Sequence, residues 1–128
     1  MNASTATDLR AAVDSLFEHM ATGKILEAMS TFYDQNVAMQ ENANDPTVGL
    51  DANIEREKQF LAGIKDWKSL DIHAVGLEGD TSEGSALIEY SFDFINTDNQ
   101  AVRYEQVAVQ TWKNGKITRE RFYYNAGG

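Results

Sequence analysis

The chain has no cysteine, which excludes a disulfide framework, a thiolate metal site and a cysteine nucleophile. It has one proline, Pro46, so little of it is built from proline-stiffened turns or linkers. No stretch approaches the roughly 18 consecutive apolar residues of a membrane span. The start, MNASTATDLRAAVDSL, lacks a basic segment followed by an apolar run, so a secretory leader is not expected and the expected location is cytoplasmic. Positive charge is scarce. Eleven Lys and Arg stand against 20 Asp and Glu, a net charge of −9, which repels phosphate backbones and anionic lipid surfaces. Neither nucleic acid nor a membrane is an expected partner. Glycine-rich phosphate loops, G-x-S-x-G and H-E-x-x-H are all missing. The two histidines, His19 and His73, lie too far apart in sequence to suggest metal spacing, so neither a metal nor a cofactor is expected.

What is present is the composition of a globular domain: 128 residues, 42% hydrophobic and 10% aromatic, enough to bury a core in one domain spanning 1–128. Leu9, Ala12, Val13, Leu16, Phe17 and Met20 recur at helical spacing, and Thr5 with Asp8 resembles a capping box. Gly23 ends this helix. A second is predicted over Lys24 to Tyr33. In NVAMQEN the period becomes two, with Val37, Met39 and Glu41 on one side. A loop around Pro46 leads to a third helix, about Asp51 to Lys65, turning Ile54, Leu61 and Ile64 inward and its EREK side to solvent.

From Trp67 onward the chain reads as antiparallel strands with turns at EGDTSEG, NTDNQ and NG; only the final AGG reads as frayed. A two-residue turn at Asn114-Gly115 and another at Asp98-Asn99 set the register. On that register one sheet face carries Ile88, Tyr90, Phe92, Phe94, Arg103, Glu105, Val107, Val109, Glu120, Phe122 and Tyr124. The other carries Leu87, Glu89, Ser91, Asp93, Tyr104, Gln106, Ala108, Gln110, Trp112, Ile117, Arg119, Arg121 and Tyr123. The first is aromatic and β-branched and is expected under the helices. The second is expected to face solvent or a partner subunit, with Glu89 reaching Arg121. A longer loop at NTDNQ, or a bulge, exchanges the faces.

Helix–Gly–helix, then FYDQNVAMQEN, a loop ending in Gly49, a third helix and a meander closing with WKNGKITRERFYYN together resemble the SnoaL-like group of the nuclear-transport-factor-2-like superfamily. The NGKI…FYYN ending is similar to that of a SnoaL-like subfamily of unassigned function. The resemblance implies an α+β fold. Helices pack on a strongly curved mixed, mainly antiparallel sheet, a cystatin-like cone that encloses a pocket. It also implies homodimers through the outer sheet face. That superfamily includes ketosteroid isomerases, polyketide cyclases, epoxide hydrolases, dehydratases and pure binding or assembly domains. Glu41 falls where the isomerases carry their proton-shuttling aspartate. Their oxyanion-hole tyrosine falls near Leu16 and their second acid at Val107, so neither is kept. Limonene-type epoxide hydrolases keep an acid where this chain has Phe122; Arg103, Glu105 and Glu120 offer the same acid–arginine–acid residue types at other positions.

The candidate catalytic residues are Glu41, Glu105 and Glu120, because burial in an apolar wall raises a carboxyl toward neutral pH, where it can exchange protons. Tyr90, Phe92, Arg103, Val107, Phe122 and Tyr124 are the candidate ligand-binding residues. The alternative for each acid is a place at the sheet rim or an ion pair with Arg103, and for Tyr90 and Tyr124 an aromatic core. His73 is expected to face away from the pocket. The expected ligand is a small, largely apolar organic molecule. The chemistry is either cofactor-free acid–base catalysis of isomerase, lyase or hydrolase type, or none, in a ligand-binding or dimeric scaffold domain.

Overall fold

The computed structural model of the chain describes residues 8–125. Three helices and six strands follow in the order α1 (Leu9–Ala21), α2 (Ile25–Phe32), β1 (Tyr33–Glu41), β2 (Thr47–Val48), α3 (Leu50–Ala62), β3 (Ile64–Gly79), β4 (Glu83–Asn96), β5 (Ala101–Lys113) and β6 (Lys116–Tyr124). The expected α+β class holds.

Asp8 itself caps α1, its carboxylate accepting from the Ala11 N–H at 3.1 Å. Thr5, the other half of the expected capping box, lies outside the described residues, as does the terminal AGG. Leu9, Val13, Leu16 and Phe17 are the buried stripe. Gly23 stops the helix at φ +83°, with Gly23 N–H donating to Met20 O and Lys24 N–H to His19 O, the paired bonds of a Schellman ending. The chain turns at once into α2, which buries Ile25, Ala28 and Met29. Helix α3 ends three residues earlier than expected, and Ile64 opens β3 instead of facing inward from a helix. Asn53 moors α3 to the sheet: its buried amide donates to Gly49 O at 2.8 Å and Thr47 O at 3.0 Å.

The sheet order is β2-β1-β6-β5-β4-β3. Only β1 and β6 are parallel; every other pair is antiparallel. Asn114 and Gly115 both have positive φ, as a two-residue turn of type I′ requires, and Trp112 lies opposite Ile117 as expected. The expected turn at Asp98-Asn99 is wrong by one residue. Asn96 N–H bonds Gln100 O, so Thr97, Asp98 and Asn99 form a three-residue loop, with Asn99 left-handed at φ +62°. Phe92 therefore pairs with Tyr104 and Tyr90 with Gln106, and the whole of β5 is turned over.

The faces change accordingly. Tyr104, Gln106, Ala108, Gln110 and Trp112 lie inside, while Arg103, Glu105, Val107 and Val109 lie on the outer face. In β6 a second irregularity intervenes. Trp112 pairs with Ile117 but Thr111 pairs with Arg119, so Thr118 is an extra, bulged residue. Ile117 is thus buried, and beyond the bulge Glu120, Phe122 and Tyr124 return to the inner face. Strand β3 bulges three times against β4, between Ile64 and Asp66, Trp67 and Ser69, and Ile72 and Ala74. The core lies between the helices and the inner face, centred on Val13, Leu16, Val37, Ile88, Ala108, Trp112 and Ile117.

Candidate functional site

Between the helices and the inner sheet face is a cavity of about 450 Å³. Leu16, Met20, Ile25, Ala28 and Met29 form its helical roof, and Trp67, Tyr90, Phe92, Tyr104 and Phe122 its sheet wall. The wall is a row of parallel rings: Trp67 on Phe92 at 5.3 Å and Phe92 on Tyr104 at 5.1 Å, with Phe60 of α3 edge-on to Tyr104 at 6.0 Å. The Trp67 indole N–H donates to Ala21 O at 3.1 Å and so fixes one end of the row to α1.

Polar groups gather on the side where β1, β6 and α3 meet. Glu41, the last residue of β1, accepts from the Tyr124 hydroxyl on one oxygen and from Arg56 on the other, the latter at 2.9 Å. Arg56 also donates to Thr47 Oγ1 at 3.1 Å. The cavity's one cationic lining residue is therefore already engaged. Tyr124 is pushed up to about 12, by burial first and then by its bond to Glu41 and that residue's charge.

Next to Arg56 in α3, half-buried Glu57 also lines the cavity. It has no hydrogen-bond partner among the described residues. Burial, reinforced by the charge of Glu41 and opposed by Arg56, pushes its carboxyl up to about 7. A group that titrates near neutrality can both take and return a proton. Reading EREK as a solvated face missed this residue. The signal was nevertheless present, since Glu57 falls three or four residues from Asn53, Ile54, Phe60 and Leu61, on the same helical stripe.

Glu120 is 2% exposed and sits behind the cavity wall, outside its lining. It accepts from the Tyr33 hydroxyl and, at 2.8 Å, from Gln110 Nε2. Gln110 is held in turn by Trp112 Nε1 at 3.0 Å. Burial pushes Glu120 up to about 7 although both hydrogen bonds act to lower it; the charge of Glu57 adds to the rise. Tyr33, buried but still part of the cavity lining, is raised well above the ordinary tyrosine value by burial and by Glu120.

Of the expected site residues, Glu41, Tyr90, Phe92, Phe122 and Tyr124 line the cavity and Glu120 adjoins it. Arg103, Glu105 and Val107 do not, because the three-residue loop turned β5 over. On the outer face Arg103 bonds Asp93 at 2.8 Å and Ser91 Oγ at 3.0 Å, with Glu105 at 3.6 Å. His73 faces away from the cavity as expected and meets Ser91 Oγ at 2.9 Å. Arg121 bonds the Asn42 carbonyl at 2.8 Å and lies over the Tyr123 ring, so the expected contact with Glu89 is not made. Tyr33, Arg56, Glu57, Tyr104, Gln106 and Gln110 were not anticipated. Among the described residues no three His, Asp or Glu side chains are grouped to hold a metal, and no helix is long and apolar enough to cross a membrane.

Comparison with known proteins places this geometry. No curated protein matches the chain. Among solved structures, an NTF2-like protein of unknown function from Burkholderia pseudomallei superposes with a TM-score of 0.75 at 11% identity, over 91% of this chain and 89% of that one. A provisionally assigned SnoaL-like polyketide cyclase from Mesorhizobium loti gives 0.66 at 21% identity, over 90% and 97%. An epoxide hydrolase of the LEH-like type from M. tuberculosis gives 0.70 at 15% identity, over 90% and 76%. At these identities the likeness is one of fold, and the same architecture hosts different chemistries. The SnoaL-like domain profile matches residues 13–120, and by that match the chain belongs to the SnoaL-like domain family, with the NTF2-like fold.

Proposed function

We propose that the cavity binds a small, largely apolar organic molecule and moves a proton on it without a cofactor, with Glu57 as the exchanging group and Glu41 as its charged neighbour. The observation that carries this reading is the position of Glu57: lining an aromatic-walled cavity, without a hydrogen-bond partner among the described residues, and titrating near neutrality. Two carboxyl groups in unlike surroundings can divide the work. Glu41 is tied to Arg56 and Tyr124, so it orients and biases, whereas Glu57 is free to exchange. Similar folds carrying provisional cyclase and isomerase names, and an epoxide hydrolase, support an organic substrate of this general kind.

The test uses a generic carbon acid. Ionised Glu57 removes a proton from the carbon beside the carbonyl of 1-tetralone, leaving an enolate. The acid exchanges with solvent and returns a deuteron in D₂O. Deuterium incorporation followed by NMR is expected to be accelerated by the protein and to fall at least about 100-fold in Glu57→Gln. It should fall on the acid side of pH 7 as Glu57 takes up its proton. Binding of 1-tetralone with no accelerated exchange would overturn proton transfer and leave a ligand-binding domain.

A further inference from the structure

Glu120 has no part in that chemistry, yet its surroundings determine where the protons lie. An indole N–H can only donate, so Trp112 makes Gln110 Oε1 the acceptor and leaves Gln110 Nε2 to donate to Glu120 Oε2. The remaining oxygen, Oε1, meets the Tyr33 hydroxyl. When Glu120 is ionised, Tyr33 donates to it and has no proton left to offer. When Glu120 is protonated, the proton sits on Oε1, because Oε2 already faces a donor. The acid then donates to Tyr33 Oη, and the phenolic hydrogen must turn elsewhere. Tyr33 lines the cavity, so a ligand oxygen there can receive it.

We infer that Tyr33 and Glu120 form a switchable oxygen site: with Glu120 protonated, Tyr33 donates its O–H into the cavity and holds a carbonyl or hydroxyl oxygen of the ligand. The groups facing Glu120 are Tyr33 from β1 and Gln110 with Trp112 from β5; Glu57 of α3 and Tyr90 of β4 act from further away. None is cationic, so burial is opposed only by two hydrogen bonds and the acid stays protonated up to about pH 7. This rests on reading the cavity as a ligand site. It adds that the ligand carries an oxygen acceptor, gripped at the wall opposite in role to the proton-moving Glu57.

The test compares 1-tetralone with tetralin, its counterpart without the oxygen, by calorimetric or NMR titration in a Glu57→Gln background that removes the other group titrating near pH 7. At pH 5.5 the ketone is expected to bind about three- to tenfold better than tetralin, the worth of one hydrogen bond. That preference should fade as pH rises through about 7. Tyr33→Phe should abolish it without weakening tetralin. Glu120→Gln should keep it and make it independent of pH, because the new amide N–H donates to Tyr33 Oη as the protonated acid does. Infrared difference spectra of the unliganded protein supply a second measurement: a protonated carboxyl band at pH 5.5 that vanishes in Glu120→Gln.

A ketone preference surviving in Tyr33→Phe, a Glu120→Gln variant without preference, or no carboxyl band at pH 5.5 would overturn the switch. Equal binding of both compounds in all variants overturns it too, while the cavity stands as a ligand site. Binding of neither compound overturns both readings together.

Discussion

Glu57 and Glu120 are both pushed up to about 7, and they reach that point by different routes. Glu57 is a half-buried residue of α3 that lines the cavity, has no hydrogen bond among the described residues, and owes its rise to burial first and then to Glu41. Glu120 lies in a strand behind the wall, accepts two hydrogen bonds, and rises because burial outweighs them. Equal titration does not mean equal purpose. An unpartnered acid facing a cavity can act on a ligand, whereas a doubly bonded acid in the core acts first on stability and reaches a ligand only through Tyr33.

Truncation separates the two acids most strongly. Glu120→Ala leaves a cavity and strips Tyr33 and Gln110 of their shared acceptor, so it should cost about 3–5 kcal/mol in urea unfolding. At pH 4.5, where the acid is protonated in the folded protein, Glu57→Ala has no hydrogen bond among the described residues to lose and should stay within about 0.5 kcal/mol. Next comes pH. A carboxyl raised by folding binds a proton more tightly in the native state than in the unfolded one. Its stabilising contribution is complete below the unfolded value near 4.5 and disappears as pH rises through about 7. Unfolding free energy should therefore be about 3 kcal/mol lower at pH 8.5 than at pH 4.5 on account of Glu120, with Glu57 acting in the same direction. Glu120→Gln should remove most of that slope and Glu57→Gln a smaller part.

Trp112→Phe deletes the donor that orients Gln110 and should cost about 1–2 kcal/mol by thermal or urea unfolding. It leaves Glu57 unaffected. The smallest effect is expected at the mouth. Arg56→Met removes an exposed cation whose pair with Glu41 is worth about 0.5 kcal/mol at most. Its readout is titration: the Glu57 carboxyl, followed by carbon-13 NMR, should move to higher pH because Arg56 no longer opposes its rise. Glu120 should not follow.

These two acids also mark how far the sequence could be read. Element order and type were legible apart from the two-residue β2, which falls in the stretch expected as a loop, because the 3.6 and 2.0 periods and the Asn-Gly turn are local signals. The face of β4 was legible for the same reason, as was the alignment of Val37, Met39 and Glu41. The face of β5 was not. It depends on whether NTDNQ closes with two or three loop residues, a difference set by the left-handed Asn99 and the Asn96 side chain, which accepts from the Asp98 and Gln100 N–H groups. Glu120, Phe122 and Tyr124 were placed correctly by compensation. The misread loop turned β5 over, and the unforeseen Thr118 bulge turned β6 back.

The α+β order of elements, the family, and a set of acids and tyrosines spaced along strands and one helix are legible from the chain alone. Those follow from backbone periodicity and turn chemistry, which act over a few residues. Tertiary structure alone decided which acids share a cavity, because a one-residue change in a loop or bulge inverts an entire strand. It also decided that Glu57 has no hydrogen-bond partner among the described residues, that Glu120 accepts two hydrogen bonds, and that Arg103 and Glu105 pair outside. Those outcomes depend on neighbours brought together from distant parts of the chain.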